Sequence, residues 1–297
     1  MRGAEQGFLL LTCPLGDPER QILTTAQFRT LAQRAAQMEK PLEDRDLTAG
    51  DVMALGYGSA FAERVLRLLS QQELLEHYVR RSRLANCQCI TRLHADYPAK
   101  LRKSLGLDSP GSLWVKGDLS LLKMPMIALV GSRDIRHENA AFARQVGIEA
   151  ARQGYVLVSG NARGSDRIAQ SACLEAGGKV ISVLADELDK HPVRENLLYL
   201  SEDGFDLPFT AQRALSRNRV IHALAEKTFV AQVTDGRGGT WDGTQKNLRF
   251  GWSHVFCFQD DTSGMQKLIQ MGANTISALD LQDISKIIPV NRNLLDF

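Results

Sequence analysis

The run Ser159-Gly160-Asn161-Ala162-Arg163-Gly164-Ser165-Asp166 ends a β-branched apolar stretch with two glycines, an arginine and an acid. Gly160 and Gly164 permit close backbone approach, and amides entering a helix near Ser165 attract anions through unpaired N–H groups and the helix dipole. Asp166 is a candidate N-cap. Two further loops share this character. Gly131-Ser132-Arg133 offers a tight turn, a hydroxyl and a charged fork suited to phosphate. Asp235-Gly236-Arg237-Gly238-Gly239-Thr240, followed by Trp241-Asp242-Gly243, is rich enough in glycine to form a backbone nest for an anion. Arg217-Asn218-Arg219 precedes that loop, and Arg213 lies four residues upstream, on the helix face of Arg217.

These residues need a scaffold that brings strand ends together. Short β-branched runs at 126–130, 155–158, 180–184, 228–233 and 254–258 alternate with helix-like stretches at 138–153, 166–176, 213–225 and 243–250. That order predicts an α/β fold: an extended, Rossmann-like parallel sheet with helices on both faces, and ligands at the strand C-terminal ends. Residues 25–38, 48–55, 59–69 and 71–84 carry apolar residues at helical spacing, with a polar bridge at 39–46. They predict a small all-helical N-terminal domain over 1–88, ahead of the sheet domain at 89–297. Residues 279–297 read as a last helix and a tail.

Composition narrows the function. The chain has 297 residues, 36 basic and 34 acidic side chains and a net charge of +2, so nucleic-acid binding must rest on local clustering. Its five cysteines are scattered, which predicts reduced thiols and a cytoplasmic protein. His137, His191, His222 and His254 have no metal spacing, and no apolar stretch reaches a membrane span. The sequence names no metal and no cofactor. A GxGxxG fingerprint occurs at neither of the first two loops.

In order, VGSR (130–133), SGNARGSD (159–166) with EAGGKVISVL (175–184), RNRVIHAL (217–224) and GGT (238–240) resemble the DNA-processing protein A family (DprA/Smf). Residues 97–122 and 265–273 resemble its lead-in and tail, so the resemblance covers roughly residues 90–275. It implies a non-catalytic, dimeric protein that binds single-stranded DNA and hands it to a RecA-like recombinase. By position, Arg133, Arg217 and Arg219 would contact phosphates, and Gly160, Gly164 and Ser165 would line the pocket. The remaining candidates are Gly131, Ser132, Ser159, Arg163, Asp166, Arg213, Asn218, Arg237, Gly238, Gly239 and Thr240.

The sequence also departs from the family pattern. Gly164-Ser165-Asp166 and Gln170 stand where Gly-Ile-Asp and a later His are usual. Ala185-Asp186-Glu187 replaces a glycine-rich turn, Ala214-Leu215 an aromatic-Pro pair, and Gln232 an acid. The family's C-terminal winged helix is not found. Truncated relatives of this kind imply a second use, as an antitoxin or regulator of a toxic partner in phage defence. A third reading is a nucleotide sensor or phosphoribohydrolase-like enzyme. Its carboxylate would be Asp186, Glu187, Asp235 or Asp242, although Gln245 and Asn247 stand where a glutamate is expected.

Overall fold

The computed structural model describes residues 3–37 and 47–290. Five helices come first: α1 (Gly3–Thr12), α2 (Thr25–Ala36), α3 (Ala49–Ala54), α4 (Ser59–Leu69) and α5 (Gln72–Leu84). Thr24 and Thr48 each close a capping box, with Gln27 and Asp51 as the reciprocal partners. The polar bridge at 39–46 lies outside the described residues. Leu11, Leu23, Leu31, Val52, Ala62, Val65 and Leu68 form a small core within this segment. Leu9, Leu10, Leu75 and Tyr78 instead join the core beneath the sheet.

The sheet has nine strands, ordered β1-β2-β6-β5-β4-β3-β7-β8-β9. Its centre is β3 (Met126–Val130), flanked by β4 (Val156–Ser159) and β7 (Lys227–Val230), both parallel to it. Beyond β4 lie β5 (Lys179–Val183) and β6 (Leu197–Ser201); beyond β7 lie β8 (His254–Phe258) and β9 (Asn274–Ile276). An antiparallel edge, β1 (Gln88–Thr91) and β2 (Ser112–Gly117), completes the β6 side.

Side chains alternate across the pleat. On β3, Met126, Ala128 and Val130 face one core, and Ile127 and Leu129 the other. The first core is covered by α6 (Ala99–Leu105), α9 (Ala211–Leu224), α10 (Gly239–Phe250) and α11 (Ser263–Gln270). The second is covered by α7 (His137–Arg152), α8 (Ser165–Glu175), α1 and α5.

The central parallel strands match the sequence pattern. Four strands, β1, β2, β6 and β9, go beyond it, because they lack the regular strand–helix alternation of the central run. The run 228–233 leaves the ladder after Val230, and α10 begins at Gly239 rather than 243. Residues 279–286 form 3-10 turns rather than an α-helix, and 291–297 lie outside the described residues. Among the described residues no helix is long and apolar enough to cross a membrane.

Candidate nucleic-acid interface

From β3 the chain steps outward through β4, β5 and β6, then returns to the other side of β3 at β7. The order therefore reverses between β3 and β7, and the crevice above their carboxyl ends is where such sheets hold ligands. A cavity of about 530 Å³ opens there. The β3 loop supplies Gly131, Ser132 and Arg133, the β4 loop Ala162 and Asp166, and the turn before α10 Arg237, Gly238, Gly239 and Thr240. The three glycine-bearing loops thus converge, with α9 as the fourth wall.

The β4 loop is already satisfied internally. Asp166 is buried, and its Oδ2 accepts the amides of Gly160 at 3.1 Å and Ala162 at 3.3 Å. Burial pushes its pKa above the usual carboxylate range, while Arg217 and the two amides pull against that rise. Asp166 is not the N-cap expected of it; Gly164 caps α8, and Asp166 sits in the first turn. Ser165 is likewise committed, since its amide (3.2 Å) and hydroxyl (2.9 Å) both donate to the Ser132 carbonyl. The anion cradled by this loop is therefore the protein's own.

Arg217 comes from the middle of α9 and is 7% exposed. Its Nε and Nη1 have no hydrogen-bond partner among the described residues. Its guanidinium lies against the backbone at Gly160, where a Cβ would fall 1.3 Å from Nη1. Burial works against its charge, the Asp166 carboxylate supports it, and Arg133 opposes it. Arg133 and Arg237 are exposed at the cavity.

The α10 side is open by comparison. Gly238 caps the helix without a side-chain bond, and Gly238, Gly239 and Thr240 all border the cavity. Thr240 Oγ1 donates to the Gly131 carbonyl at 2.9 Å, and Asn218 Nδ2 to the Gly239 carbonyl at 2.9 Å. Those two side chains tie the loops together. Beneath them, His222 Nδ1 lies 3.0 Å from Asn247 Nδ2, and burial drops the imidazole pKa to about 3. Nδ1 therefore accepts, and the neutral ring carries its proton on Nε2.

Seven candidates do not line this cavity. Gly160, Gly164 and Ser165, expected to line it, are turned to the protein's own backbone and side chains, and Arg213, Arg219, Ser159 and Arg163 lie apart from it. Arg213 is anchored to Asp203, Ser201 and the carbonyls of Ala185, Leu207 and Pro208. Arg219 pairs with Glu202 and borders a different cavity. Ser159 is fully buried and donates to the Leu129 carbonyl. Arg163 pairs with Asp134 at 2.7 Å in solvent. The acids expected near the mouth are also engaged, Asp186 with His191 and Glu187 with Lys190. Trp241 is buried in the core.

The sequence reading missed Phe209. It is 54% exposed on the cavity rim, beside Leu215 at 47%. Its only mark in the sequence is a phenylalanine standing just before the Thr210 cap of α9, which does not tell a buried ring from an exposed one. Gln232 was noted only as a departure, yet it clamps the β3 loop: Oε1 accepts the Arg136 amide at 2.9 Å, and Nε2 donates to the Asp134 carbonyl at 3.3 Å.

Comparison with known proteins agrees with this architecture. The family model described as DNA recombination-mediator protein A matches residues 88–288. The chain is 32% identical over 186 residues to DNA processing protein DprA of Streptococcus pneumoniae, covering 58% of this chain and 65% of that protein. It is 32% identical over 191 residues to the Bacillus subtilis protein of the same name, covering 59% and 64%. The chain thus spans just under two thirds of the length of these relatives. Among solved structures, DprA from S. pneumoniae superposes with a TM-score of 0.73 at 25% identity, over 95% of this chain and 98% of that one. DNA processing protein A from Helicobacter pylori shares the fold with a TM-score of 0.57 at 23% identity, over 66% and 92%.

Proposed function

This chain belongs to the DNA recombination-mediator protein A family, and from that premise we propose that its strand-end cavity grips the backbone of single-stranded DNA without chemistry. The observation that carries the reading is Arg217: a residue nine-tenths buried, with two guanidinium nitrogens unpartnered among the described residues, on the wall of a cavity that Arg133 and the α10 N-terminus also face. A phosphate oxygen supplies the acceptor those nitrogens lack, and the α10 dipole favours its charge. The exposed ring of Phe209 gives a neighbouring base a face to stack on. The Helicobacter pylori protein of this fold is described as binding single-stranded DNA, and the proposal carries that ligand class here on the strength of this cavity.

The test is fluorescence anisotropy with a labelled oligothymidine at two salt concentrations. Affinity falls steeply with salt, and Arg133→Ala lowers the log–log slope by about 0.7 for one lost phosphate contact. Arg217→Met weakens binding about tenfold or more, as expected for a lost charge-assisted hydrogen bond. Phe209→Ala costs about 1–3 kcal/mol. Absence of salt-sensitive binding by the wild-type chain at low ionic strength overturns the reading.

Three finer roles follow from the same proposal. Exposed Leu279, Ile288 and Val290, at 76%, 76% and 73%, support a homodimer face beyond β9, which sedimentation checks. Delivery of the strand to a RecA-like recombinase in the cytoplasm rests on family membership. Restraint of a toxic partner in phage defence rests on the departures at 164–166 and 185–187, and co-expression with the neighbouring gene decides it.

A further inference from the structure

A second cavity, of about 820 Å³, lies between α1, α2, the segment 92–112 and the end of β6. Ligand sites favour such clefts between packed units, and a volume of this order holds a small organic molecule. Its contents differ from those of the strand-end cavity, and the DNA reading above does not use it.

The polar part is a buried ion pair. Glu202 follows β6, Arg219 comes from α9, and Nη2 donates to Oε2 at 2.5 Å. The Glu202 side chain is 5% exposed. Its other oxygen, Oε1, and Nη1 of Arg219 are both buried, and neither has a hydrogen-bond partner among the described residues. Ser216 lies near enough to support the carboxylate's charge without closing a bond to Oε1. One ion pair thus carries a buried acceptor and a buried donor without partners among the described residues, and leaving such atoms unmade is expensive.

The apolar part is aromatic and aliphatic. Phe8 and Phe28 meet edge to face, 4.8 Å apart, and Leu23 and Leu93 add to the wall. The remaining feature is charge. Arg92 and Arg102 also line the cavity, their guanidinium groups fixed by the carbonyls of Gly106, Leu107 and Arg92 rather than by carboxylates. Arg29 lines it from α2 and is exposed. Asp108 and Asp203 are the other acids there, and Asp203 is held by Arg213.

We propose that this cavity is a second ligand site, which takes a free nucleoside monophosphate: base edge on Glu202 and Arg219, ring against the phenylalanines, phosphate on Arg29, Arg92 and Arg102. Every heterocyclic base presents an N–H donor beside an acceptor, which matches an ion pair whose Oε1 and Nη1 have no partner among the described residues. A flat ring suits the aromatic wall, and arginines without carboxylate partners among the described residues suit a phosphate.

Calorimetric titration of the full chain with AMP, GMP and UMP tests this, with ribose 5-phosphate as the control that keeps the phosphate and lacks the base. At least one mononucleotide binds, and ribose 5-phosphate does not compete. Glu202→Gln weakens binding on the order of tenfold, because Gln keeps the shape and loses the charged acceptor. Should that variant unfold, Arg29→Glu, an exposed change on α2, still reverses the charge facing the phosphate and weakens binding. Arg217→Met leaves this binding intact while weakening oligonucleotide binding, which separates the two sites. No binding by any of the three at millimolar concentration overturns the proposal. So does equal competition by ribose 5-phosphate, or loss through Arg217→Met with Glu202→Gln silent.

Discussion

Two glycine-rich turns border the same cavity and do opposite things. The turn after β4 folds around its own carboxylate: Asp166 takes the amides of Gly160 and Ala162, and Ser165 is spent on the Ser132 carbonyl. The turn before α10 has no acid of its own at the helix cap, and Gly238, Gly239 and Thr240 border the open space. One loop is a structural clamp that sets Arg217 in place; the other leaves a helix N-terminus facing the cavity. Glycine content alone does not separate these roles, since what decides is whether an acid within a few residues can reach back to the amides.

The largest effect is expected where the clamp meets the arginine. A Cβ at Gly160 would overlap Nη1, Cζ and Nη2 of Arg217 at 1.3, 2.1 and 2.3 Å. Gly160→Val therefore drives out a buried guanidinium, and denaturant unfolding should show a loss of about 3 kcal/mol or more, together with loss of oligonucleotide binding. If Gly160→Val keeps wild-type stability and binding, Arg217 does not depend on the clamp and the comparison fails.

How far the sequence foretold this site depends on distance along the chain. The central strands and their loops were legible because β-branched runs, glycines and helical spacing are local signals. That three loops would meet followed from the α/β order, which puts strand C-termini together. What was not legible were partnerships between distant residues. Arg217 and Arg219 are two apart and look interchangeable, yet one faces Asp166 and the other Glu202. Four-residue spacing puts Arg213 on the helix face of Arg217, but Asp203 and three carbonyls engage it. Phe209 precedes its helix and carries no periodic signal, so its place on the rim appears only in the fold.

The next effect uses pH to tell the two walls apart. Under α10 the support is a neutral imidazole, His222, with a folded pKa of about 3 against 6.5 for the free group. A base with a lowered folded pKa contributes stability that is present above 6.5 and lost as pH falls towards 3. Between pH 7 and 5 the loss is about 2 kcal/mol. Asp166 has the opposite sign. Its folded pKa is raised, so burial weighs on the folded state at neutral pH, and that weight lifts as pH falls through the folded value. Urea unfolding at pH 7 and 5 should show the loss in the wild type and in Asp166→Asn, and little of it in His222→Gln. An acid slope that survives His222→Gln removes the imidazole from the account.

The smallest effect comes from the open turn itself. Gly236 has φ +69°, and among the described residues nothing lies within 4 Å of the Cβ an alanine would add. Gly236→Ala is therefore strained by backbone conformation alone, at about 1 kcal/mol, against about 3 for the crowded Gly160. Because the change adds no atom to the α10 N-terminus, oligonucleotide affinity should hold to within about twofold, the range of an ordinary surface substitution. The pair of measurements is informative because both positions are glycines beyond the carboxyl ends of central strands of the same sheet. A stability loss at Gly236 as large as that at Gly160 would mean that the open turn is as tightly built as the clamp. An affinity loss at Gly236 with stability intact would instead place the ligand directly against that turn, closer than the α10 cap.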